Sequence, residues 1–188
     1  MRKLITAVAL TAAVTALAAG TAGTASAASA SASASASASA QHLTLHGWTL
    51  LSDHGPGPTP GERLTAQVSA RTLDGRARGH VAVQHVFETS GTVRAEFDVD
   101  CLTVDENGAI TVTGPISKTV ITPLVGEPYL FDEGHHPEAG LTFYPIDEQH
   151  QRRVGWSRTD PKMHSEVAKC GPVPASLWVI DGGTFLRR

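Results

Sequence analysis

The sequence predicts an all-β domain, an antiparallel β-barrel or barrel-like sandwich of about eight strands. Three observations carry that prediction. Apolar and polar residues alternate with period two: in "LTAQVSA", Leu64, Ala66, Val68 and Ala70 share one face, while Thr65, Gln67 and Ser69 share the other. In "VRAEFDVDC", Val93, Ala95, Phe97, Val99 and Cys101 read as inward-facing, and Arg94, Glu96, Asp98 and Asp100 as wet. A strand with one solvated face requires this pattern, because successive side chains point to opposite sides. Turn formers punctuate the chain, in "GPGPTPG", "LDG" and "DENG". No window of about 11 residues or more carries a helical apolar stripe.

Taken in chain order, the N-terminus comes first. Arg2 and Lys3 form a short basic region, Leu4 to Ala19 an uncharged apolar one, and Ala25-Ser26-Ala27 an A-x-A cleavage site. This is the layout of a secretory signal peptide, residues 1–27, so the working protein is expected outside the membrane. No later run reaches the roughly 20 apolar residues needed to span a bilayer. Residues 28–40 alternate Ala and Ser. With no partner strand and nothing large to bury, they read as a flexible linker of modest reach, about 20 Å. Arginine outnumbers lysine 11 to 4 and alanine is heavily used, a compositional bias of GC-rich bacteria that fits a Gram-positive source.

Residues 41–188 then form a single domain, long enough to bury a proper core. Besides the two strands quoted above, residues 43–51, 78–88, 109–120, 126–131, 141–146, 152–157 and 176–186 are strand candidates. The two cysteines lie at the end of the cleanest strand, Cys101, and in the loop "KCGPVP", Cys170. In an exported protein such a pair reads most simply as one disulfide. Closing a loop of nearly seventy residues contributes roughly 4 kcal/mol on the chain-entropy relation. A reactive thiol or a metal pair would want closer cysteine spacing or a reducing compartment.

Charge excludes one class of partner. Loss of Arg2 and Lys3 with the leader changes 15 bases against 18 acids to 13 against 18. The basic pairs Arg152-Arg153 and Arg187-Arg188 do not make the positive stripe that nucleic acid demands. The expected partner is therefore an extracellular small molecule or protein, met by a monomer.

The chain carries few candidates for chemistry. The sequence has no G-x-S-x-G elbow, H-E-x-x-H helix, phosphate loop or C-x-x-C pair, and no motif implies a cofactor or a catalytic residue. The stretch "DEGHHPEAG" sets His135 and His136 beside Asp132, Glu133 and Glu138, and neighbouring strands offer His80, His85, His150 and His164. Adjacent residues on an extended chain point apart, so both rings reach one ion only in an unusual turn. The stretch reads instead as a polar connection, with Gly134 and Gly140 permitting positive φ and Pro137 blocking ladder pairing. Asp98 and Asp100, about 7 Å apart on one face, have the spacing of an inverting glycosidase pair, but solvated acids on a strand are commonplace. His46 and His85 fall at strand positions. Trp156 and Trp178 read as core, whereas Trp48, beside Gly47 and ahead of a Pro/Gly loop, reads as partly exposed. Two function classes follow: a secreted binding or interaction module, or an extracellular enzyme of the hydrolase type on the same scaffold.

The segments "DVDCLTV", "VTGPI", "GEPYLFDEGHHPEAG" and "RRVGWS", followed by a second cysteine and a closing strand, resemble the small secreted actinobacterial proteins labelled repetin-like. The resemblance covers roughly residues 76–186. Asp132 and Gly134 match that family's D-x-G turn, while His135 and His136 do not belong to it. The resemblance implies a β fold and no particular activity.

Overall fold

The computed structural model describes residues 42–130, 137–157 and 167–188. The expected signal peptide and linker, and the His135-His136 pair, lie outside the described residues. Among the described residues ten strands run in chain order: β1 (Thr44–Ser52), β2 (Glu62–Leu73), β3 (Arg76–Phe87), β4 (Gly91–Val99), β5 (Cys101–Val104), β6 (Ile110–Pro123), β7 (Tyr129–Leu130), β8 (Glu138–Phe143), β9 (Arg153–Trp156) and β10 (Leu177–Arg187). Neither a helix nor a cis peptide occurs among the described residues.

All pairings are antiparallel, and eight strands close on themselves in the order β4-β3-β2-β1-β10-β9-β8-β6, with β6 returning to β4. β5 and β7 are additions to the two edges of β6. β6 is the seam. Its first half pairs β5 and β8, and its second half pairs β4 and β7.

The predicted alternation fills the interior. Leu45 and Leu51 of β1, Leu64, Ala66, Val68 and Ala70 of β2, Val81 and Val83 of β3, and Ala95, Phe97 and Val99 of β4 are buried in one cluster. Val112 of β6, Leu141 and Phe143 of β8, Val154 of β9 and Leu177 of β10 complete it. Trp156 packs against this cluster as predicted, its ring stacked on Phe97 with centroids 6.2 Å apart. Polar side chains at outer positions include Gln67, His80, Glu96 and Lys118. Among the described residues no helix is long and apolar enough to cross a membrane.

Three expectations need correction. The strand expected at residues 93–101 breaks at Asp100 into β4 and β5, and the pairing of β4 with β6 slips between Glu96 and Phe97. The break resets the alternation. Cys101 therefore lies opposite Thr113, and Leu102, opposite Val112, takes the inward place. Cys101 is buried, but on the outer face of the wall. Gly114 permits the bend, since a Cβ there would strike the carbonyl oxygen of Asp98. Secondly, Glu138, Ala139 and Gly140 belong to strand β8 and pair with β6, so the polar connection ends earlier than expected. Thirdly, Gly140 has no positive φ. Its lack of a side chain leaves room for the Cγ2 of Val173, 3.0 Å from where a Cβ would stand.

Val173 belongs to a strap, residues 167–176, that crosses the outside of β6, β8 and β9. The disulfide Cys101–Cys170 fastens one end, as expected from the sequence. Hydroxyls on the covered face accept the strap's amides: Cys170 N donates to Thr113 Oγ1 (3.1 Å) and Val173 N to Thr142 Oγ1 (2.8 Å). The Tyr144 hydroxyl donates to Val173 O (2.7 Å). Burial, and secondarily the charge of Asp105, pushes that phenol above its ordinary pKa. The row of buried threonines on an outer face is thus explained, because unpartnered buried amides are costly.

Candidate functional site

The outer face of β1 to β4 carries a groove of about 270 Å³ lined by Trp48, Arg63, Thr65, Gln67, Ala82, Gln84, Val86 and Arg94. Strand register builds it. Trp48 lies opposite Gln67, Gln67 opposite Ala82, and Ala82 opposite Glu96; one step along the strands, Thr65 lies opposite Gln84 and Gln84 opposite Arg94. Ala82 is small and buried, so the floor dips between taller neighbours. Trp48 forms one wall and is 39% exposed, in agreement with the sequence expectation.

Arg94 forms the opposite wall and is held there. Its Nε donates to Glu96 Oε1 at 2.6 Å, and His80 Nε2 lies 3.4 Å from Glu96 Oε2. The hydrogen bond from Arg94, then its charge with those of His80 and Lys118, outweigh burial and hold the Glu96 carboxyl below its ordinary pKa. His80 also approaches Asp98, at 3.5 Å from Nδ1 to Oδ1. His46 is tied to Ser69 at 3.1 Å on the same face. The groove therefore offers one aromatic plane, two amides and a hydroxyl, with guanidinium groups at the rim. An amide presents both donors and an acceptor within one short side chain.

Asp98 and Asp100 do not act as a pair. Asp98 faces His80, while Asp100 sits in the break between β4 and β5 and binds Lys169 of the strap at 2.6 Å. That hydrogen bond is the main cause that raises the Lys169 pKa. Among the described residues the displaced groups, Glu96, Tyr144 and Lys169, all move away from neutral pH. None is tuned for proton transfer near pH 7.

A second hollow, about 410 Å³, is lined by Pro56, Ile146, His150, Gln151, Arg152, Trp178, Val179, Ile180, Asp181 and Gly182. Trp178 was expected in the core. It lies on the outer surface opposite Arg153, whose guanidinium carbon stands 3.9 Å above the ring centroid. The β1–β10 register slips between Leu50 and Leu51, an irregularity that single-strand periodicity does not show. His85, on the inner phase of β3 at one barrel mouth, packs its ring at a tilt against Phe87 and lies 3.0 Å from Glu62 Oε2. His150 sits in an exposed turn with φ of 59°. The pair His135 and His136, together with His164, lies outside the described residues.

No protein-family model, no curated protein and no solved structure matches this chain.

Proposed function

We propose that this protein is a secreted binding module and that the groove on β1 to β4 receives a hydroxyl-rich ligand, a mono- or oligosaccharide. The observation that carries the reading is Trp48, exposed beside a floor of Gln67, Thr65 and Gln84. A large aromatic left in water loses the benefit of burial unless something covers it, and an indole face suits the apolar C–H face of a sugar ring. The amides meet vicinal hydroxyls with paired donors and acceptors. At about 270 Å³ the groove sits just under the usual range for small-molecule sites, a size suited to one or two sugar rings.

Secretion belongs to the same reading and is supported by the leader-like residues 1–27 and by the Cys101–Cys170 bridge. The repetin-like resemblance is compatible with it. Titration calorimetry with chito-, cello- and xylo-oligosaccharides tests the proposal: at least one should bind, and Trp48→Ala should abolish that binding while the fold is retained. Binding unchanged in Trp48→Ala, or no binding to any of the three sugar classes, would refute it.

A further inference from the structure

We infer that the barrel mouth beside the β1–β2 loop is a binding site for a divalent transition-metal ion of the zinc type, held by Asp53, His54 and Glu62 and supported by His85. The site is separate from the groove, and each reading can fail without the other.

One oxygen from each carboxylate and a ring nitrogen of His54 lie within 4.8 Å of one another. Tetrahedral zinc, with bonds of about 2.0–2.1 Å, needs its ligand atoms about 3.4 Å apart. Closing the difference takes side-chain movements of under about an ångström. His54 is free to make them, its side chain being 67% exposed. Adjacent ligands ordinarily diverge on an extended chain. Here the chain leaves β1 in a bend over residues 53–57, and His54 Nε2 and Asp53 Oδ1 stand 3.5 Å apart. The bend has its own support, since His54 N donates to Ser52 Oγ (3.3 Å) and Ser52 Oγ meets Thr59 Oγ1 (3.0 Å).

Glu62 comes from the first position of β2, where the register places it opposite Phe87. His85, two residues before Phe87, reaches Glu62 Oε2 at 3.0 Å. Carboxylates that ligate a metal are ordinarily hydrogen-bonded in their turn, and His85 is such a partner for Glu62. Its ring lies against that of Phe87, tilted by 33°, with centroids 3.8 Å apart. The carboxylate of Glu88 rests against Gly61, 2.9 Å from where a Cβ would stand, and adds negative charge beside the site.

The donor set decides the class of ion. Imidazole nitrogen favours zinc, copper and nickel over calcium and magnesium, which prefer cages of oxygen. Three protein ligands leave a fourth position, facing solvent, for water or an oxygen-bearing ligand.

The test is calorimetric titration of ZnCl2, and separately CaCl2, into the purified protein at pH 7.5 in a non-chelating buffer. One zinc per chain should bind with micromolar or tighter affinity, and calcium should not bind. His54→Ala and Glu62→Gln should each weaken zinc by at least about 100-fold, and His85→Ala by about 10- to 100-fold, the cost of losing an outer-shell partner. His46→Ala and the double change His135→Ala, His136→Ala should leave the affinity unchanged. Metal-free thermal melts show that each variant is folded, and the exposed His54 makes His54→Ala the safest of them. Absence of saturable zinc binding overturns the inference. So does wild-type affinity in folded His54→Ala, or loss of the site in the His135/His136 variant.

Discussion

Removing the bridge between Cys101 and Cys170 is the sharpest perturbation of the strap. The two residues are 69 apart in the chain, so the closed loop holds about half of the barrel domain. On the chain-entropy relation a loop of that length contributes about 4.4 kcal/mol at room temperature by restricting the unfolded chain. For a domain near 150 residues each kcal/mol shifts Tm by about 2–4 °C, so Cys101→Ala with Cys170→Ala should melt about 9–18 °C lower. A second contribution separates backbone from bridge. Cys170 has φ of 62°, a left-handed conformation that glycine adopts freely and alanine does not. Cys101→Ala with Cys170→Gly should therefore recover up to about 1 kcal/mol of the loss. Circular dichroism melts and urea titrations, run on the wild type and both double variants, measure these differences. A loss below about 1 kcal/mol in the Ala/Ala variant would refute the reasoning. It would mean that the loop is already constrained in the unfolded chain, or that the strap's hydrogen bonds alone keep it seated.

Other changes test other contacts. Gly155→Ala would drive a methyl into the carbonyl oxygen of Val173 and should destabilise by about 2 kcal/mol or more, read by urea unfolding, with Tyr144 becoming more accessible as the strap lifts. Phe97→Ala empties the centre of the barrel and removes the stacking partner of Trp156, at a cost of about 3–5 kcal/mol in the same assay. Glu96 has a depressed carboxyl pKa, so the stability it gains from Arg94 and His80 is fully present above its ordinary value of 4.5 and is lost as pH falls through the lower folded value. The stability gap between wild type and Glu96→Gln should accordingly shrink in melts taken on the acid side of pH 4.5.

The parts of the fold that were legible in the sequence are those where one face of a strand is wet. Leu64 to Ala70 and Val93 to Val99 announce their inner faces because period two has no other simple cause in a chain lacking helical stripes. Pairing irregularities are not written in any one strand. Cys101 continues the alternation of residues 93–99 on paper, yet the break at Asp100 moves it to the outer face. Trp178 likewise sits beside a register slip and is turned outwards. The groove was half legible. Trp48 betrayed itself by its neighbours, but Gln67, Gln84 and Arg94 become a floor and a wall only once β1 to β4 are set side by side. The cluster of Asp53, His54, Glu62 and His85 is hidden for the same reason: Glu62 meets His85 only because the register sets Glu62 opposite Phe87, whereas His135 and His136 are adjacent in the chain.

The pairing of the first strand, β1, with the last, β10, has a kinetic consequence. Thr44 pairs with Arg187, so the barrel cannot close until nearly the whole domain has been made. β1 to β4 form from successive short hairpins and can pair as they emerge, but their leading strand keeps one row of backbone donors and acceptors open throughout. Closing so long a loop is slow, because chain entropy is lost before the final contacts repay it. An unpaired edge during that interval is a template for pairing with another copy. Refolding yield should therefore fall with protein concentration, and a chain truncated before Leu177 should aggregate even though its first four strands carry every residue of the groove.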